Sequence, residues 1–150
     1  MKNYEDITIE GYQIQVIENK KSKYGWTVLF WDQGEKPDAC YIEQKSKDGY
    51  LRVYTGNSYY AKVCKGKPVY LHRLIFAYLL HYPLNLFGME VHHLDHNKLN
   101  NSLENLVLLS KEEHKHLHDL ERQGLVEEAE IIKQRVINIR ENRLKCLTKN

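Results

Sequence analysis

Eight histidines fall between His72 and His118, and four of them are spaced as the ligands and base of a metal-assisted hydrolase would be. His114 and His118 stand four apart where a helix is expected, so their imidazoles share one face and can converge on a single ion. His92 precedes a polar loop on an extended segment and can supply a third nitrogen. Three protein ligands leave coordination positions open, the arrangement of a catalytic rather than a structural metal. His93 alternates to the other side of the strand, which disfavours it as a ligand of the same ion. A neutral imidazole there can take a proton from water near pH 7. The remaining histidines have plainer readings. His116 points away from the face of His114 and His118. His72 and His81 read as parts of a connecting helix, with a phosphate contact open to His72, and His96 suits a turn because histidine tolerates positive φ.

The string His92-His93-x-Asp95-x-Asn97-x-x-Asn100-Asn101, then Asn105-Leu106, then Ser110-x-x-Glu113-His114-x-x-x-His118 resembles the HNH nuclease signature. The stretch from Gly49-Tyr50-Leu51 to Leu71-His72-Arg73-Leu74 is also similar to what precedes the motif in phage and intron-encoded, homing-type members. The resemblance implies a ββα-metal fold, two short strands and a helix around one divalent ion. It implies His93 as general base, His92 and His114 as metal ligands, and His118 as a further ligand in the manner of colicin-type nucleases. Asn105 takes the place of the middle asparagine, bracing the loop and so orienting His93. Asp95, Asn97, Asn100 and Asn101 are expected to build the loop through side-chain to backbone bonds. His96 departs from the pattern, standing where many relatives have glycine.

The activity this implies is hydrolysis of DNA phosphodiester bonds, with His93 activating water and one ion stabilising the leaving oxygen. The ion is Mg, Mn, Zn or Ni; nitrogen ligands favour the softer members. A non-catalytic DNA-binding protein with a structural metal site is the alternative, and the presence of His93 speaks against it. No HExxH motif supports a metalloprotease.

The elements that must position these residues are legible as an α+β chain. β-branched and aromatic runs at Tyr12–Glu18, Trp26–Trp31, Cys40–Gln44, Tyr50–Thr55 and Tyr59–Cys64, parted by turn signals, predict a strand-rich N-terminal region. A helix is expected over 70–82, with Leu71, Leu74, Ile75, Tyr78 and Leu79 on one face and Pro83 after it. Strands follow at Glu90–Leu94 and Leu106–Leu109. Ser110 and Glu113 have capping-box spacing, which predicts a helix from Lys111 to Arg122 stopped by Gly124. A last helix over Val126–Lys145 carries Leu125, Ala129, Ile132, Val136 and Ile139 as an apolar stripe. Its stripe is too short for a coiled coil, so packing and a monomer are expected rather than dimerisation. Arg140, Arg143 and Lys145 complement its dipole. The divisions expected are 1–69 for DNA positioning, 70–123 for the nuclease motif and 124–150 for the helix.

Composition adds bounds. A chain of 150 residues holds one compact domain with or without a helical appendage. Three cysteines, far apart, argue against a disulfide framework or a cysteine-based zinc site. The net charge of +2 is unremarkable, but no acid lies between Asp48 and Glu90, where Arg52, Lys62, Lys65, Lys67 and Arg73 fall. Arg73, Lys62, Lys65 and Lys67 are therefore candidates for contacts to double-stranded DNA, with Lys20, Lys21 and Lys23 as a second basic cluster. No apolar run is long enough to cross a bilayer and the start lacks a secretory pattern, so a cytoplasmic, bacterial or phage-encoded protein without a membrane partner is expected.

Overall fold

The computed structural model describes residues 13–31, 34–44, 47–54 and 69–148. It is α+β and divides into two compact units, Met1–Leu84 and Asn85–Asn150. In the first unit β1 (Gln13–Glu18), β2 (Trp26–Trp31), β3 (Asp38–Glu43), β4 (Arg52–Tyr54) and β5 (Val69–Tyr70) pair in chain order, each antiparallel to the next. Alternation decides what they bury: Ile14 and Val16 of β1 and Trp26, Val28 and Phe30 of β2 turn inward, while their neighbours stay wetter. The expected strand at Tyr59–Cys64 lies outside the described residues.

Helix α1 (Leu71–Leu80) packs on β1 and β5. Its expected single apolar face is a correction. Leu71, His72, Leu74, Ile75, Phe76, Ala77, Tyr78 and Leu80 are all buried, and Leu79 is only half-buried. A helix apolar nearly all round is an inside helix. It ends at His81, whose left-handed backbone (φ 54°) lets its amide reach the last carbonyls before Pro83. His72 is buried and stacks on Tyr50 with ring centroids 4.9 Å apart, which removes it as a phosphate contact.

In the second unit β6 (Glu90–His93) and β7 (Leu106–Leu109) form an antiparallel ribbon in which His92 pairs with Val107 and His93 with Leu106. Helix α2 (Lys111–Arg122) follows with the full capping box in place: Glu113 donates its amide to Ser110 Oγ, and the Ser110 amide donates to Glu113 Oε1, both at 3.1 Å. Such a cap contributes about 1 kcal/mol and sets the rotation of the helix that carries His114 and His118. Gly124, at φ 72°, supplies the turn into α3 (Val126–Thr148).

The stripe of α3 closes the core: Ala129 and Val136 pack with Val107, Leu109, Leu117 and Leu120. Leu125 and Ile139 are corrections, being 39% and 54% exposed; the buried line runs instead through Arg140, which is 6% exposed. Its Nη1 donates to the carbonyls of Leu103, Glu104 and Leu106 at 2.9–3.2 Å, and its Nε and Nη2 donate to Glu141 Oε1. Arg140 is thus a clamp on the turn before β7, not a solvated complement to the helix dipole. Among the described residues no helix is long and apolar enough to cross a membrane. Cys40 is buried and Cys146 exposed, and both are free thiols.

Candidate metal centre and general base

The ribbon and α2 bring three imidazoles together. His114 Nε2 lies 3.1 Å from His92 Nδ1 and 3.1 Å from His118 Nε2. A neutral ring nitrogen carries either one proton or one lone pair, so His114 Nε2 cannot make full hydrogen bonds to both neighbours. Convergent lone pairs around a cation are what this arrangement suits. Glu90 Oε2 stands 3.6 Å from His114 Nδ1; its charge favours the proton on that outer nitrogen and the lone pair on the inner one. The same region holds a second donor group, His92 with His96 and Glu121, again with its donor atoms within 4.8 Å of one another.

Electrostatics disfavour charge on two of these rings, His92 and His118. Burial, with His114, His96 and His118 nearby, pushes His92 down to about 3 from 6.5. His118 is lowered by burial and by His114. Burial alone would raise the Glu121 carboxyl, but the bond to His96 and the charge of Lys133 together hold it low, so it stays an anion. The lowered imidazoles of His92 and His118 favour a metal, because metal binding requires unprotonated nitrogens.

Folded protein keeps His92 neutral to about pH 3, whereas the unfolded chain takes up that proton below 6.5. The stability His92 contributes is therefore complete above pH 6.5 and lost as the pH falls toward its folded value. Chelated protein is expected to lose up to about 1.4 kcal/mol of unfolding free energy per pH unit from this ring. Urea midpoints at pH 7.5, 6.0 and 5.0, compared with His92→Asn, measure it; equal slopes in the two proteins would refute the assignment.

His93 sits beside this group on β6, 4% exposed, with Nε2 2.7 Å from Asn101 Oδ1. A carbonyl oxygen only accepts, so the His93 proton is on Nε2 and the lone pair of the neutral ring on Nδ1. Burial lowers the His93 imidazole, and the bond to Asn101 partly offsets this. Asn105 braces the loop from below: its Oδ1 accepts from the Asp95 amide at 3.0 Å, and its Nδ2 donates to Asp95 Oδ1 and to the Asn100 carbonyl. Asp95 in turn accepts from the Asn97 amide and from Asn100 Nδ2. Asn97 Oδ1 accepts from the Leu99 amide at 3.0 Å and Asn100 Oδ1 from the Ser102 amide at 3.5 Å, which with Asp95 gives the side-chain to backbone bonds expected of these three residues. Asn101 departs from them, because it is buried and touches His93 itself.

Residues 69–116 match the family model described as HNH endonuclease. The chain carries an HNH segment. No curated protein and no solved structure matches it. The HNH match spans β5, α1, the ribbon and the start of α2, and stops short of His118, Glu121 and Arg140. Of the other candidates, Arg73 is half-buried on α1. Lys62, Lys65 and Lys67 lie outside the described residues. Arg52 is committed elsewhere, its Nη2 3.1 Å from Asp48 Oδ2 and 3.1 Å from Tyr70 Oη, an acid just beyond the acid-free stretch.

Proposed function

We propose that this protein is a metal-dependent DNA endonuclease in which His93 is the general base and His92, His114 and His118 hold one divalent ion. The observation that carries the reading is the meeting of three imidazoles at 3.1 Å contacts next to a buried histidine bonded to Asn101. A bound ion supplies Lewis-acid chemistry, offsetting charge on the phosphate and on the leaving oxygen. The protein does the rest. His93 accepts the water proton at Nδ1 as the water oxygen bonds to phosphorus. The bond from phosphorus to the 3′ oxygen breaks in line, and that oxygen takes a proton from solvent, leaving 5′-phosphate and 3′-hydroxyl ends. Asn101 keeps the acceptor atom correct, and Asn105 fixes the loop on which His93 depends; a shift of about an ångström costs a base roughly a hundredfold.

Purified protein is expected to relax supercoiled plasmid in the presence of Mg, Mn, Zn or Ni and not in chelator. A gel assay across those ions measures this. Protein that binds zinc and DNA with no cleavage under any of them would instead be the non-catalytic DNA-binding protein with a structural site.

Arg73, Lys62, Lys65 and Lys67 are proposed phosphate contacts. Each contact releases counterions and adds about 0.9 to the logarithmic salt slope of binding. Neutralising Lys62, Lys65 and Lys67 together is expected to flatten that slope by roughly two to three, on any DNA sequence. Binding titrations of metal-free protein over a salt series measure it; an unchanged slope would move the interface to Lys20, Lys21 and Lys23.

A further inference from the structure

We propose that His92, His96 and Glu121 form a second seat for a transition-metal ion, sharing His92 with the three-histidine set and filled in alternation with it. Two nitrogen donors and one carboxylate are a donor set that binds zinc well. Their donor atoms lie within 4.8 Å of one another, and His96 Nε2 already stands 3.0 Å from Glu121 Oε2. Two buried polar atoms in this group, His92 Nε2 and Glu121 Oε1, have no hydrogen-bond partner, and His92 is only 4% exposed. Such atoms are costly unless something meets them.

The backbone adds a separate argument. His96 has φ 60°, a left-handed geometry that costs a side-chain-bearing residue roughly 1 kcal/mol. Glycine would hold the turn without that strain, whereas histidine holds it at a modest cost and brings an imidazole. The turn delivers it to the others: its ring centroid lies 5.3 Å from that of His92 and 6.0 Å from that of His118. The His92–His96–Glu121 group needs a charge beside the carboxylate, and Lys133 Nζ, 3.3 Å from Glu121 Oε2, now provides it. An ion entering this seat competes with that ammonium. A neutral His92 carries one lone pair, either on Nδ1 toward His114 or on Nε2, so one chain holds one ion at a time.

The seat goes beyond the nuclease reading and is tested without cleavage. The double variant His114→Ala, His118→Ala removes the first set and leaves the second; His114 is half-buried and His118 exposed, and circular dichroism checks the fold. Zinc titrated calorimetrically is expected to bind it with one equivalent, more weakly than wild type. Adding Glu121→Gln or His96→Gly is expected to weaken that residual binding at least tenfold. Adding Lys133→Met is expected to tighten it several-fold. Absence of zinc binding in the double variant, indifference to Glu121→Gln and His96→Gly, or indifference to Lys133→Met overturns the proposal. Failure of wild type to bind zinc overturns the second seat, while the nuclease reading stands or falls on plasmid cleavage with Mg, Mn, Zn or Ni.

Discussion

Replacing His93 with alanine is expected to lower the rate of DNA cleavage by about 10²–10⁴ while leaving zinc and DNA binding close to wild type. The ring is on the strand of His92 but its Nε2 meets Asn101 whereas His92 Nδ1 meets His114, so its loss is expected to remove the proposed proton acceptor and not the proposed metal set. Some stability is lost as well. Asn101 Oδ1 loses its donor in a buried place, at a cost of about 1–3 kcal/mol. Rates should therefore be compared well below the unfolding temperature, under single turnover, with calorimetry for zinc alongside. Asn101 sharpens the reading. Asn101→Asp keeps an acceptor for His93 Nε2 and should retain more activity than Asn101→Leu, which releases the tautomer. Cleavage by His93→Ala within a few-fold of wild type would remove His93 from the chemistry.

The second large effect concerns His114. Its Nε2 is the nitrogen that meets both other proposed ligands, so His114→Ala breaks the set at its middle. Loss of an outer hydrogen-bond partner alone weakens metal sites ten- to a hundredfold, and loss of a ligand itself should exceed about a hundredfold. Cleavage should fall to background. His118→Ala should be milder, since that residue is exposed and water can take its place. Zinc calorimetry on both variants decides it: unchanged tight binding in His114→Ala means that the ion is held elsewhere.

What could be read in the chain and what could not divides by range. β7, α2 and the capping box were legible because strand alternation, helical period and the Ser110–Glu113 spacing are local properties. The His114–His118 pair was legible for the same reason. The contact of Asn101 with His93 was not. It depends on how an eight-residue loop folds back, and nothing in an asparagine pair says which member is buried. Arg140 was misread because a base near a helix C-terminus has a sufficient local explanation, while its carbonyl partners are more than thirty residues away. The all-round burial of α1 was underestimated because period alone marks the strongest face and is silent about a second covering. Whether Lys62, Lys65 and Lys67 meet DNA is a matter for the salt titration.

The Arg140 clamp bears on how such a segment can be moved between proteins. The carbonyls it holds flank Asn105, and Asn105 holds the loop that follows His93. A graft ending with the family match at residue 116 would part that turn from its guanidinium and bare Val107 and Leu109, which Ala129 and Val136 now cover. The transplantable cassette therefore ends beyond Arg140. A chimera cut earlier would carry every residue of the apparent signature up to its cut and still lack the support that keeps them in register.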